Sequence, residues 1–184
     1  TLPYGLLPLC VPQLRTITLG GAVTGLGIES ASFRNGTPHE SVLEMDVLTG
    51  AGEVLTVTPA ADDPNRDLFF GFPNSYGSLG YALRLKIELE PTKPYVLLRH
   101  LRFGTAAELT DALTRIATDR VFEDRPVHFL DGTVFGPGEQ YATVGTMVDE
   151  LPGGLSPSDY TGMGIYYRSI QAKTVDVLTI HDYL

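Results

Sequence analysis

The chain has 184 residues, enough for one ordinary domain or two small ones. Hydrophobic residues make up 43% and charged residues 19%, proportions of a folded globular chain that exclude a disordered one. A formal net charge of −9 argues against a nucleic-acid footprint and against docking on an anionic membrane, since both need a basic surface.

The segment 16–90 is dense in glycine and short β-type runs. Thr16-Ile17-Thr18-Leu19 reads as a brief strand running into Gly20-Gly21, followed by a stretch punctuated by Gly25, Gly27 and Gly36 without the spacing of a long amphipathic helix. Residues 41–46 and 53–58 read as strands around Thr49-Gly50-Ala51-Gly52, a hairpin pattern. Residues 67–72 read as a short helix with Asp62 or Asn65 as N-cap. From Tyr81 to Glu90 apolar and charged residues alternate, placing Leu83, Leu85, Ile87 and Leu89 on one face of a half-buried strand. Pro91 and Pro94 mark a boundary. Beyond it come a strand at 95–103 and an amphipathic helix at 105–118, opened by a Thr105/Glu108 capping box. Strands at 127–130 and 140–148 follow, joined through the turn-rich 131–139; 152–158 is a loop, and 175–180 is strand-like. The expected fold class is α+β, divided at 1–94 and 95–184. Thr1 in place of an initiator methionine, and an end just after a strand-like run, are expected of a partial chain.

Cys10 is the sole cysteine, so neither an internal disulfide nor a cysteine metal cage is available, which fits a reducing, cytoplasmic setting. His39, His100, His128 and His181 lack HxxxH or HExxH spacing, so no metal is expected. The apolar runs are too short for a membrane span. There is no GxSxG element for nucleophilic hydrolysis.

Two glycine clusters carry the candidate chemistry. The first runs from Thr18 to Ser30 and on through Ser32 and Gly36; the second is Asn74-Ser75-Tyr76-Gly77-Ser78-Leu79-Gly80, just before the alternating strand. Backbone without Cβ atoms can approach a flat ring or a phosphate closely and aim N–H groups at it. The hydroxyls of Thr18, Thr24, Ser30 and Ser32 are placed to add hydrogen bonds. Neither cluster is a Rossmann fingerprint: Gly25-Leu26-Gly27 opens one, but Ser30 stands at the third glycine, and there is no GxxxxGK[ST] loop. On composition alone these clusters read equally well as turns in a β-rich domain.

In order, Thr18-Leu19-Gly20-Gly21, the glycine- and serine-rich segment, the hairpin, Asp67-Leu68-Phe69 and Gly77-Ser78-Leu79-Gly80 resemble the second half of the FAD domain (PCMH type) in the vanillyl-alcohol-oxidase flavoproteins. Within that family the match is nearest the sterol side-chain reductase branch. It is strong over about half the chain and looser over the rest. The resemblance implies the second subdomain of an FAD-binding domain over 1–94, its first subdomain preceding Thr1, and the start of an α+β substrate or cap domain over 95–184. It implies non-covalent FAD, with NADPH as a candidate electron donor, and hydride transfer to or from a lipid-like small molecule such as a sterol side-chain double bond. Carried over by position, Thr18, Gly20, Gly21, Gly25, Gly27, Ile28, Glu29 and Ser30 line the flavin, and Gly77, Ser78, Leu79, Gly80 and Tyr81 close the other side; Thr24, Ser32 and Gly36 complete the set. Catalytic groups stay unassigned. Cys10 precedes Gly20 by ten residues, a poor spacing for a covalent flavin link, and reads as packing. His39 reads as a surface residue, and Tyr160, Tyr166 and Tyr167 as aromatic core. An FAD-linked oxidase of an alcohol or sugar, using oxygen, is the alternative within enzymes; a flavin-free β-rich binding module is the alternative outside them. Membrane association through other parts, and oligomeric state, stay open.

Overall fold

The computed structural model describes residues 1–14, 16–162 and 164–184. Two compact units divide the chain: Leu6–Glu90 with Thr1, and Pro91–Leu184 with Leu2–Gly5. Both mix helices and sheet, the expected α+β class.

The first unit runs β1 (Leu6–Pro8), α1 (Leu19–Gly25), α2 (Ser32–Asn35), β2 (Val42–Leu48), β3 (Val54–Val57), α3 (Arg66–Gly71), β4 (Tyr81–Ile87) and β5 (Leu89–Pro91). An antiparallel sheet of order β3-β2-β4 carries its core. The hairpin forms where the sequence places it: the Thr49 amide donates to the Glu53 carbonyl (2.9 Å), and Gly52 returns a bond to Thr49 (3.0 Å). Val23, Val42, Met45, Val47, Val57, Phe69 and Phe72 are buried together, each removal from water worth roughly 1.5–3 kcal/mol.

Two expectations fail here for physical reasons. Residues 16–19 form no strand; Thr18 is extended and its hydroxyl accepts from the Gly21 amide (3.1 Å), so it caps α1, and Val23 is buried against the sheet. The simple alternation along β4 is also broken. Asp46 pairs with Arg84 but Val47 with Ala82, leaving Leu83 as an extra residue in a β-bulge. Ala82, Leu85 and Ile87 therefore pack on the core, and Leu83 is exposed. At α3 Asn65 stands at the N-cap, one of the two expected positions, but its side chain makes no capping bond; Asp63 accepts from the Asn65 amide (2.8 Å) and from the Thr58 amide (2.7 Å).

A largely buried ion pair ties α2 to β5. Both terminal guanidinium nitrogens of Arg34 donate to Glu90, each at 2.7 Å, and the Asn35 side-chain amide adds a bond to Glu90 (3.1 Å).

The second unit holds β6 (Tyr95–Phe103), α4 (Ala106–Asp119), the short pair β7 (Val121–Phe122) and β8 (Arg125–Pro126), β9 (Phe129–Gly136), β10 (Glu139–Val148), α5 (Tyr166–Ala172), β11 (Val175–Thr179) and α6 (Ile180–Tyr183). Its sheet is antiparallel with order β11-β6-β10-β9. The Thr105 capping box opens α4 as expected, with Leu109, Ala112 and Ile116 buried. β9 starts later and runs further than expected: it continues through 131–136, where Asp131, Gly132 and Gly136 suggest a turn, because pairing with β10 outweighs their low strand propensity. No helix of the described residues is long and apolar enough to cross a membrane.

Candidate functional site

In the first unit the fold joins the two glycine clusters. The last carbonyls of α1 have no partner within the helix, and the second cluster supplies it. The Tyr76 amide donates to the Thr24 carbonyl (3.1 Å) and the Asn74 amide to the Val23 carbonyl (3.4 Å). The C-terminal end of α1, with Thr24 and Gly25, is thus tied to the 74–80 loop that holds Gly77, Ser78 and Leu79; Thr18 caps the other end of α1, and β4 opens from the loop at Tyr81.

Several apolar side chains in and next to these segments are open to water: Ile28 is 87%, Tyr76 78% and Tyr81 70% exposed, and Leu26 and Leu79 are exposed too. Leu26, Asn74 and Tyr76 sit at positive φ (50°, 60° and 49°), a costly conformation for residues with a Cβ, and such strain concentrates at functional sites. All three lie within the two glycine clusters but outside the set carried over by position, and Asn74 is of a type tolerant of the left-handed region. A Cβ built on Gly25 or Gly77 meets nothing within 4 Å, so open space lies beside both.

Other candidates have work inside the fold. A Cβ on Gly80 (φ +133°) would overlap the Leu48 carbonyl, so this glycine lets β4 begin against β2. Gly20 lies against Ala82, 3.4 Å from a built Cβ to its methyl carbon. Gly36 (φ +76°) ends α2 beneath the Glu40 carboxylate, which the Thr37 amide and hydroxyl hold below the usual carboxylate range.

The hydroxyls are also engaged within the unit. Thr24 donates back to the Gly20 carbonyl (3.0 Å), and Ser32 accepts from the Glu29 amide (2.9 Å) and sits 3.4 Å from the Cys10 sulfur. Ser30 lies in the turn before α2 and Gly27 beside Glu29, a built Cβ on Gly27 lying 3.3 Å from a Glu29 carboxylate oxygen. The Glu29 carboxylate accepts from the Gln13 amide (3.1 Å), while burial pushes its pKa up. Cys10 is buried, and desolvation likewise raises its thiol, the opposite of an activated nucleophile. His39 pairs with the Thr37 hydroxyl (2.8 Å).

Sequence comparison places this geometry in context. Over 166 residues the chain is 29% identical to the Delta(24)-sterol reductases of Mus musculus and Homo sapiens, covering 90% of this chain and 30% of each relative. Over 144 residues it is 31% identical to cytokinin dehydrogenase 3 of Arabidopsis thaliana, covering 77% of this chain and 26% of the relative. Its relatives are oxidoreductases. The chain spans less than a third of the length of the curated relatives it matches. No family model matches.

The second unit carries a separate polar cluster that sequence reasoning missed. The tyrosines expected as aromatic core belong to it in part. Tyr160 donates to Asp176 (2.5 Å), a buried carboxylate that also takes bonds from Ser158 (2.6 Å), Lys173 (3.0 Å) and the Val177 amide (3.0 Å). Burial pushes Asp176 up, but those donors outweigh it and hold the group below its ordinary value. Tyr166 stacks edge-on with Tyr160, and burial pushes its phenol well up, so it stays protonated. Tyr167 is exposed. His100, only 4% exposed, shares a hydrogen bond with Thr143 (2.9 Å), and burial pushes its imidazole below the ordinary value, favouring the neutral ring.

Proposed function

We propose that the chain is part of an FAD-dependent oxidoreductase and that the first unit supplies one wall of the flavin site. The observation that carries this reading is the joining of α1 to the 74–80 loop, with open space beside Gly25 and beside Gly77 and with Ile28, Tyr76 and Tyr81 exposed in or next to these segments. A flat, partly apolar ring system suits such a surface. Glycine and hydroxyl roles divide accordingly. Gly25 and Gly77 leave room for the cofactor, while Gly20, Gly36, Gly80, Thr24 and Ser32 hold the wall in shape. When bound, the flavin supplies hydride transfer; the residues here bind and orient it.

For the substrate we propose a lipid-like molecule, with a sterol side-chain double bond as the first candidate, on the strength of the similarity to sterol reductases over 90% of the chain. NADPH is the electron donor to test with it. The similarity to a cytokinin dehydrogenase favours a second reading in which the flavin withdraws hydride from the substrate. Protein expressed from its complete reading frame distinguishes the two anaerobically. NADPH bleaches the bound flavin in the first case, and the organic substrate alone does so in the second. If the protein holds no flavin, both readings fail.

A further inference from the structure

Asn35-Gly36 is the only Asn-Gly pair in the sequence. A glycine has no side chain to hinder its amide nitrogen, so that nitrogen reaches the side chain of a preceding asparagine with little steric cost. The reaction is a ring closure. The Gly36 nitrogen bonds to Cγ of Asn35 and gives up its proton, the bond from Cγ to Nδ2 breaks, and Nδ2 leaves as ammonia. Water then opens the cyclic imide to aspartate or isoaspartate. Nothing is oxidised or reduced.

The fold requires this glycine. Gly36 stands at φ +76°, and a Cβ built on it would overlap the Glu40 carboxylate. That carboxylate is itself committed, accepting from the Thr37 amide (2.7 Å). A deamidation-prone pair is therefore fixed at the end of α2 by local geometry.

The native structure blocks both reacting groups. The Gly36 amide donates to the Ser32 carbonyl (2.9 Å), which ties up the proton that must be lost. Asn35 Nδ2 spends both its hydrogens, one on the Leu9 carbonyl (2.6 Å) and one on the Glu90 carboxylate (3.1 Å). Leu9 directly follows β1, and Glu90 lies in β5. Those two strands pair only with each other, over three residues each, and a two-stranded pair of that length is marginal by itself. Such elements open locally well before the whole unit unfolds.

Deamidation turns this contact from attraction to repulsion. An oxygen without a hydrogen replaces Nδ2 and faces the Leu9 carbonyl and the Glu90 carboxylate, both acceptors. The new carboxylate also competes for Arg34, whose two terminal nitrogens are already bonded to Glu90. Isoaspartate further lengthens the main chain at the end of α2. We infer that Asn35 is a deamidation site which docked β1 and β5 keep shut, and that its conversion to a carboxylate releases them. A transient opening is thereby recorded as a permanent negative charge. The assignment is independent of the flavin reading, because it holds whether or not a cofactor binds.

The full chain is kept at mildly alkaline pH, folded in one sample and unfolded in urea in another, while fragmentation mass spectrometry follows residue 35. The folded chain is expected to convert at least about tenfold more slowly, because only its opened fraction reacts. Glu90→Ala removes one acceptor of the latch and should convert at least about tenfold faster than the folded parent, in samples whose circular dichroism shows them folded. The deamidated fraction of the parent, separated by its added charge, is then compared with the unmodified fraction by amide hydrogen exchange. The amides of β1 and β5 should exchange at least about tenfold faster in it, and those of the 42–57 hairpin should be unchanged. The proposal is overturned if folded and unfolded chains convert residue 35 at the same rate, or if folded Glu90→Ala converts like the parent. It is equally overturned if β1 and β5 exchange alike in the two fractions.

Discussion

Two glycine-to-alanine substitutions on the proposed flavin wall should have opposite effects, and the structure says why. Gly25 is the last residue of α1, its φ is unexceptional, and an added Cβ meets nothing within 4 Å. Alanine there improves helix propensity and removes freedom from the unfolded chain, so Gly25→Ala should be neutral or stabilising by about 0.5 kcal/mol. Gly80 has φ +133°, and its Cβ would overlap the Leu48 carbonyl of the neighbouring strand. Backbone strain of about 1–3 kcal/mol plus the displacement of β2 makes Gly80→Ala cost about 3 kcal/mol or more. For a chain of this size that corresponds to a fall in Tm of roughly 6–12 °C. If open space beside Gly25 belongs to the cofactor, Gly25→Ala should nonetheless weaken FAD binding about tenfold, roughly 1.4 kcal/mol. Thermal unfolding followed by circular dichroism gives the first quantity, and quenching of flavin fluorescence on titration gives the second. A Gly25→Ala protein that binds FAD like the parent would refute the assignment of that surface. A Gly80→Ala protein with unchanged Tm would refute the steric argument.

Thr18→Ala removes the side chain that accepts from the Gly21 amide and should cost about 1 kcal/mol in chemical denaturation. Glu90→Ala strips a largely buried Arg34 of both its charged hydrogen bonds, and a loss of about 3 kcal/mol is expected by the same assay. His100 is held below its ordinary pKa mainly by burial, so the unfolded chain takes up a proton that the folded chain refuses. Stability should therefore be full above about pH 6.5 and decline as pH falls below it, and His100→Gln should flatten that part of the Tm-against-pH curve. Asp176, also depressed in the folded state, keeps its contribution above about pH 3.9 and loses it only in stronger acid. Asp176→Asn should cost about 2 kcal/mol at neutral pH, since it leaves Lys173 facing a neutral partner, and unfolding curves at pH 7 read that difference.

What could be read from the sequence was local. The 42–57 hairpin was legible because two β-rich runs flank a glycine turn, and α4 because a capping box precedes an apolar stripe. Thr16-Ile17-Thr18 misled because β-branched residues favour strands, whereas Thr18's hydroxyl serves equally well as a helix cap, and only the burial of Val23 decides. The bulge at Leu83 was invisible because a register shift belongs to the pairing of two strands. The glycine clusters announced themselves as candidates, but which glycines leave room for a ligand and which merely fit the chain together depended on neighbours such as Leu48 and Ala82. The polar cluster around His100 and Asp176 needed the β6–β10 and β6–β11 registers, since its members are up to 76 positions apart.

If α1 and the 74–80 loop form part of a flavin site, the visible absorption spectrum of the protein reveals the cofactor. Protein expressed from its complete reading frame and purified without added cofactor should show the two bands of an oxidised flavin, released by denaturation because no covalent link holds it. A protein that is colourless, and stays colourless after incubation with FAD and gel filtration, would contradict the claim.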